Sequence, residues 1–323
     1  MSPASPPPKP IEPPGRPSIA LALGSGGARG LAHILVLELF DELGLRPKVI
    51  AGTSIGALYG AAYAAGLSAA SIRAITEETL GARFDLARQL FAARSEPVQK
   101  LLRLLPVRSS LLDPQSLLDL LVADLLPKDF SELQIPLKVV ATDFEMREAV
   151  VLTEGPLRPA IAASIAIPVI FSPVRCGGRV LVDGGLVNPL PFELVAGEAD
   201  VTIAVDVSGA ATGSGNARRQ SAVDVLMRSV QILEKSITRE KLKSLQPDIY
   251  VDVSVEFNAL EFYKPREILA AAAPAKVALR RQLERLIASE TVEEAAAVPP
   301  EPQPEPGKRL RRSLLRRRRK NGE

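Results

Sequence analysis

Histidine is almost missing from this chain: His33 is the only one among 323 residues. The base that activates a nucleophilic serine is most often a histidine. His33 lies between Ala32 and Ile34 in a segment with helical spacing, a setting more typical of a packing residue than of a base. We therefore expect no Ser-His-Asp triad, and any serine nucleophile in this chain needs a different base.

Cysteine is equally scarce, since Cys176 is the only one. No disulfide can form within the chain, and this usage favours a reducing compartment, so we expect a cytoplasmic protein in which Cys176 is a packing residue. Residues 1–17 contain eight prolines and lack the apolar core of a secretory signal peptide. They are predicted to form a disordered leader.

The chain also lacks a long run of large apolar residues. Residues 49–72 carry no charge, but they are mostly alanine, glycine and serine and are broken at Gly66. This composition argues against a membrane-spanning helix and favours a helix packed closely against a sheet.

Positive charge is concentrated near the end of the sequence. From Lys308 to Lys320 there are nine basic residues, and with Glu323 they give residues 308–323 a net charge of +8, so that the rest of this +3 chain carries −5. We predict that this basic tail, which follows a proline- and glutamate-rich linker over residues 291–307, binds an anionic membrane surface, peripherally on the inner face. Nucleic-acid binding and a merely solvated tail are the alternatives.

Strand and helix patterns alternate over residues 18–290, which predicts one α/β domain with a mostly parallel sheet and helices on both faces. Strands are predicted at residues 18–23, 49–51, 137–142, 179–182, 201–207 and 249–253, with 150–153 as a hairpin partner or edge. Helices are predicted to include residues 157–167, 222–245 and 265–289. Residues 83–112 mix basic side chains with leucine and phenylalanine, which fits either a lid at a lipid interface or a helical cap on the core.

One serine occupies a position suited to chemistry. The stretch Gly52-Thr53-Ser54-Ile55-Gly56 follows a β-branched run and opens an alanine-rich helical segment, which predicts a strand, a tight turn and a helix. Such a turn exposes the Ser54 hydroxyl beside the amides of a helix N-terminus. This is the setting of a nucleophilic serine, although the five-residue pattern alone fits an ordinary glycine-rich turn equally well.

Asp183 is the best candidate for the base. It follows a predicted strand and precedes Gly184 and Gly185, so its carboxylate is expected on a turn at the sheet edge, where partial burial raises a carboxyl pKa toward neutrality. The alternative is an ordinary Asp-Gly hairpin turn. Asp143, at the end of another predicted strand, is expected to be structural.

The loop from Gly24 to Gly30 offers donors for an oxyanion, because its small residues leave several backbone N–H groups free to point at one place. A dinucleotide-binding loop is the competing interpretation. However, Arg29 stands where the third glycine of G-x-G-x-x-G should be, and the chain has no P-loop sequence. A nucleotide site is therefore a minor alternative.

Three blocks occur in the order found in the patatin-like phospholipases: the loop of residues 24–30, the stretch around Ser54, and Asp183-Gly184-Gly185 with Asn188 and Pro189 behind it. The chain resembles this family over residues 18–290, most closely its small bacterial members. The resemblance implies a three-layer α/β/α fold and a lipid acyl-ester hydrolase of the phospholipase A or lysophospholipase type, with an acyl-enzyme intermediate and no metal or cofactor. A non-catalytic lipid-binding or membrane scaffold protein of the same fold is the alternative.

The resemblance also implies the roles of the site residues. Ser54 is the implied nucleophile and Asp183 its base, with the amides of Gly26 and Gly27 as oxyanion donors. Ser25 replaces the first of the family's leading glycines, and its amide can be a further donor only if the backbone there needs no positive φ. The residues expected to support the site are Arg29 as an anchor of the loop, Asn188 behind the Asp183 turn, and Gly24, Gly30, Gly52, Gly56, Gly184 and Gly185.

Overall fold

The computed structural model describes residues 16–82, 112–122, 125–209 and 222–297. The leader up to residue 15, residues 83–111 of the segment 83–112 predicted to be a lid or a helical cap, and the linker and basic tail beyond residue 297 lie outside the described residues. None of the helices in the described ranges is long and apolar enough to cross a membrane.

Within the described residues, an eight-stranded sheet forms the middle layer. Five strands are parallel and lie in the spatial order β3 (Leu137–Asp143), β2 (Pro47–Thr53), β1 (Ile19–Leu23), β7 (Val201–Asp206) and β8 (Ile249–Asp252). The antiparallel strands are β4 (Glu148–Leu152), β5 (Val174–Cys176) and β6 (Arg179–Asp183). The mostly parallel sheet confirms the predicted fold class.

Helices cover both faces of the sheet. They are α1 (His33–Leu43), α2 (Ile55–Ala64), α3 (Ala69–Ala82), α4 (Pro114–Val122), α5 (Leu157–Ser164), α6 (Ala222–Ser244) and α7 (Pro265–Ala297). Short 3₁₀ turns lie at Gly27–Ala32, Phe130–Glu132, Gly184–Leu186 and Phe192–Leu194.

The two faces of the sheet differ in side-chain size. On β1 the large residues Ile19, Leu21 and Leu23 belong to one apolar cluster, which includes residues of α1, α2, α5 and α7. Their neighbours Ala20 and Ala22 belong to a second, smaller cluster, against which α6 packs through Leu242. This division follows from the two-residue period of a strand and gives the expected three-layer α/β/α architecture.

Two helices end several residues away from their predicted ends, and β2 and β4 each begin two residues earlier than predicted. Helix α5 ends at Ser164 rather than residue 167, because Ile165 leaves the helical conformation at φ −96° and ψ 3°. Helix α7 continues to Ala297, since residues 291–297 include good helix formers and the closing prolines begin only at Pro299. Strand β5 was not predicted, because three residues are too few to show the alternation of apolar and polar side chains that indicates a strand.

β2 and β6 meet end to end along one edge of β3. Pairing with β2 ends at Thr53 opposite Val140, and pairing with β6 begins with Asp183 opposite Ala141. β4 pairs with this same stretch of β3 and occupies its other edge, so β2 and β6 share the remaining one. Because these two strands run in opposite directions, their carboxyl ends face each other, and Ser54 lies beside Asp183.

Candidate active site

Ser54 lies on a strained turn between β2 and α2. Its φ is 56° and its ψ is −123°, a conformation that costs a non-glycine residue about 1–3 kcal/mol. The turn packs so tightly against β1 that a Cβ at Gly56 would come within 2.2 Å of the carbonyl oxygen of Leu23. Glycine is therefore required at position 56 for the helix to start there.

A buried serine fixes this turn from behind. The amide of Ser54 donates to Oγ of Ser164 at 2.9 Å, and that hydroxyl donates to the carbonyl oxygen of Val140 at 2.6 Å. One side chain at the end of α5 thus satisfies polar groups of both the turn and β3.

The Ser54 hydroxyl donates a hydrogen bond to Oδ2 of Asp183 over 2.6 Å. The other carboxylate oxygen, Oδ1, accepts from the amide of Gly185 at 2.7 Å, and the Asp183 carbonyl oxygen accepts from Oγ1 of Thr142 at 2.8 Å. Both Ser54 and Asp183 are only 5% exposed. The carboxylate is therefore held in one orientation, aimed at the serine.

Burial controls the acidity of this carboxyl. Desolvation raises the pKa of Asp183 to about 6, and the hydrogen bonds from Ser54 and Gly185 offset part of the increase. Asp183 therefore remains ionised at neutral pH, while its affinity for a proton is much greater than that of an exposed aspartate. These are the properties needed in a general base.

The glycine loop lies across the first turn of α2. Within it, the amide of Gly24 donates to Val205 at 3.0 Å and that of Ala28 to Ala259 at 2.8 Å. The amides of Gly26 and Gly27 donate to no group in the described part of the chain, as is usual for the first residues of a helical turn. These two N–H groups are therefore the candidate donors of the loop.

Ser25 is the exception among the candidate donors. Its amide donates to the carbonyl oxygen of Pro189 at 2.8 Å, so it is already occupied and is not available to an oxyanion. The expectation of a further donor at Ser25 is therefore corrected, because the loop is tied to the segment behind Asp183 at this amide.

Arg29 and Asn188 occupy the anchoring positions expected for them. Nε of the buried Arg29 donates to the carbonyl oxygen of Gly26 at 3.2 Å. The amide of Asn188 donates to Gly184 at 2.9 Å, and its carbonyl oxygen accepts from Oγ1 of Thr53 at 2.8 Å. Its side chain bonds Lys241 and Glu193, which ties the Asp183 turn to α6.

His33 is a buried packing residue, as its sequence context indicates. Its Nε2 lies 2.9 Å from the carbonyl oxygen of Gly24, so this nitrogen carries the proton. Burial lowers the pKa of His33 to about 4, which leaves the ring neutral at physiological pH. Its ring hydrogen-bonds neither Ser54 nor Asp183.

Two residues at the site were not identified from the sequence. Ser164 lies in the stretch Ala163-Ser164-Ile165-Ala166-Ile167-Pro168, which weakly resembles the family's sequence but indicates no role for this serine. Glu234 lies on α6, among many other charged residues, yet it is only 7% exposed and its Oε1 accepts from Oγ of Ser25 at 2.9 Å. Its burial depends on a contact between residues 209 positions apart, which no local pattern encodes.

No cluster of three or more His, Cys, Asp or Glu side chains that could hold a metal ion occurs within the described ranges. Asp143 has a structural role: its Oδ1 accepts from the amides of Glu145 and Met146 at 3.1 and 3.0 Å and so closes the turn between β3 and β4.

The sequence of this chain is similar to that of several known proteins. The family model for patatin-like phospholipases matches residues 21–196. An uncharacterised NTE family protein of Mycobacterium tuberculosis is 40% identical over 201 residues, which are 61% of this chain and 51% of that protein. The patatin-like phospholipase domain-containing protein 7 of Rattus norvegicus is 30% identical over 194 residues, 59% of this chain and 14% of that protein.

Among solved structures, that of VipD from Legionella pneumophila aligns with a TM-score of 0.45 at 15% identity, over 86% of this chain and 67% of that one. The chain spans about half the length of the mycobacterial relative and a much smaller part of the rat protein.

Proposed function

The chain belongs to the patatin-like phospholipase family, and from this membership we propose that it hydrolyses acyl esters of lipids with Ser54 as nucleophile and Asp183 as base. The observation that carries the proposal is the 2.6 Å hydrogen bond from Ser54 Oγ to Asp183 Oδ2, made at a strained strand-to-helix turn. A carboxylate in this position can take the serine proton without a histidine.

The first half of the reaction forms an acyl-enzyme. Asp183 accepts the hydroxyl proton as Oγ of Ser54 attacks the ester carbonyl carbon, and the negative charge moves to the carbonyl oxygen. The free amides of Gly26 and Gly27 are the proposed donors to this oxyanion. When the tetrahedral intermediate collapses, the carbon–oxygen bond to the alcohol breaks, and the alcohol leaves with the proton held by Asp183.

The second half repeats these steps with water. Asp183 accepts a proton as the water oxygen attacks the acyl carbon, and a second tetrahedral intermediate forms in the same loop. Its collapse breaks the bond to Ser54 Oγ, which regains the proton, and the fatty acid leaves. The raised pKa of Asp183, about 6, suits a group that must both take and return a proton near neutral pH.

An apolar cleft beside the nucleophile supports a lipid substrate. It begins at Ile55, the residue after Ser54, and follows one face of α2 past Leu58 and Tyr59 to Ala62, with α3 as the opposite wall. At 1.5 Å per residue, Ile55 to Ala62 spans about 10 Å. The cleft opens to solvent, and its lining is almost wholly apolar. We propose that it receives the acyl chain.

Removal of the base should nearly abolish hydrolysis. We expect Asp183→Asn to lower kcat/KM for a p-nitrophenyl ester by a factor of about 10² to 10⁴, because the amide cannot take the serine proton. Asp143→Asn is the matched control, since it changes a buried aspartate on the neighbouring strand outside the dyad, and it should retain activity within a few-fold. Full activity of Asp183→Asn, with unchanged circular dichroism, would show that another group is the base.

Blocking the cleft should change the chain-length preference. Ala62→Phe fills its far end, so kcat/KM for long-chain p-nitrophenyl esters should fall by about fourfold for each methylene excluded, the equivalent of about 0.8 kcal/mol. Hydrolysis of the acetate ester should not change. Ala70→Phe, at an exposed position of α3 outside the cleft, is the control. An equal loss on short and long esters would contradict an acyl-chain site here.

The basic tail, which lies outside the described residues, is proposed to hold the enzyme on anionic membranes. Each basic residue near such a surface contributes on the order of 1 kcal/mol. Deletion of residues 308–323 should therefore reduce co-sedimentation with phosphatidylserine-containing vesicles and leave hydrolysis of a soluble ester unchanged. Equal vesicle binding with and without the tail would remove this proposal.

A further inference from the structure

A second buried carboxyl group lies beside the dyad. Glu234, on α6, accepts a hydrogen bond from Oγ of Ser25 at 2.9 Å. The same Oε1 lies against Gly185. A Cβ added at Gly185 would be 2.3 Å from this oxygen, and 3.1 Å from both Oδ1 of Asp183 and Oγ of Ser25. The Glu234 side chain, which comes from α6, thus contacts both the glycine loop and the turn that carries Asp183.

The charges around Glu234 oppose its ionisation. The charges of Asp183 at the end of β6 and Asp206 at the end of β7 disfavour the ionised form, whereas the charge of Arg29 in the glycine loop favours it. Within the described residues, Arg29 makes no ion pair within 4 Å. The charge of Asp206 is itself matched by Lys235 at 2.8 Å. Two acidic groups and one unpaired arginine therefore surround a side chain that is only 7% exposed.

We propose that Glu234 is a positioning residue that acts as a neutral carboxylic acid, joining Ser25 of the glycine loop to the Asp183 turn, and that its ionisation limits hydrolysis at alkaline pH. A neutral acid accepts the Ser25 hydrogen bond without placing a second negative charge next to Asp183. When Glu234 ionises, its charge lies beside the loop in which the oxyanion forms and opposes that charge. Burial and the charge of Asp183 raise the pKa of Glu234 to about 8, which puts this loss just above neutral pH.

The test uses Glu234→Gln, a neutral side chain of the same shape. In the wild type, kcat/KM for a p-nitrophenyl ester should rise through pH 6 and fall about tenfold per pH unit above about pH 8, as one proton is lost. Glu234→Gln should retain the activity at pH 7 within a few-fold, keep the acid limb and lose the alkaline limb.

Glu240→Gln, which changes an exposed glutamate on the same helix, is the control and should keep both limbs. An unchanged alkaline limb in Glu234→Gln, or a loss at pH 7 as large as that of Asp183→Asn, would overturn the proposal.

The kinetic test rests on the proposed hydrolysis. Measuring the stability of the folded protein as a function of pH does not depend on it. A carboxyl group whose pKa is raised in the folded state contributes stability at low pH that is lost as the pH rises through that pKa. The urea midpoint of the wild type should therefore fall relative to that of Glu234→Gln between about pH 4.5 and pH 8, and the difference should level off above pH 8. A pH-independent difference would show that Glu234 is already ionised in the folded protein, whether or not the chain hydrolyses esters.

Discussion

The site depends on the meeting of two strand ends along one edge of β3. β2 arrives from one direction and β6 from the other, and the pairing registers place Thr53 and Asp183 opposite neighbouring residues of β3. A 2.6 Å contact between Ser54 and Asp183 is thus imposed by backbone hydrogen bonds rather than by flexible side chains. The strain at Ser54 persists because Ser164 and the close packing at Gly56 hold the turn from two sides.

The same geometry suits the proposed role of Asp183 as a base that needs no histidine. An exposed aspartate is too weak a base for a serine hydroxyl, but Asp183 is almost fully desolvated and accepts hydrogen bonds from Ser54 and Gly185. Its second oxygen is fixed by the Gly185 amide, so the oxygen that faces the serine cannot rotate away. Glu234 lies on the other side of that turn. A negative charge on Glu234 would therefore oppose the negative charges of Asp183 and of an anion bound at the glycine loop.

Much of this arrangement could be predicted from the sequence, because each block carries its own local signal. Gly52 to Gly56 specifies a tight strand-to-helix turn, Asp183 is followed by two glycines, and the apolar strands predict a sheet whose carboxyl ends share one edge. The parts that could not be predicted depend on contacts between distant segments. The Ser25 amide donates its hydrogen bond to the carbonyl oxygen of Pro189. Glu234 is buried because α6 packs across the face of the sheet that carries the smaller apolar cluster. The end of α5 at Ser164 likewise depends on tertiary contacts, since Ala166 must accept the Asp183 amide at 3.0 Å.

A fluorophosphonate probe tests the central claim most directly, because it forms a covalent bond only with an activated serine and requires no knowledge of the natural lipid. Phosphorus should bond to Ser54 Oγ with loss of fluoride, and mass spectrometry should find the adduct on the peptide that contains Ser54. Ser54→Ala should remain unlabelled, and Asp183→Asn should react far more slowly. A folded wild-type protein that forms no adduct at Ser54, or that is labelled at a different serine, would contradict a Ser54–Asp183 dyad.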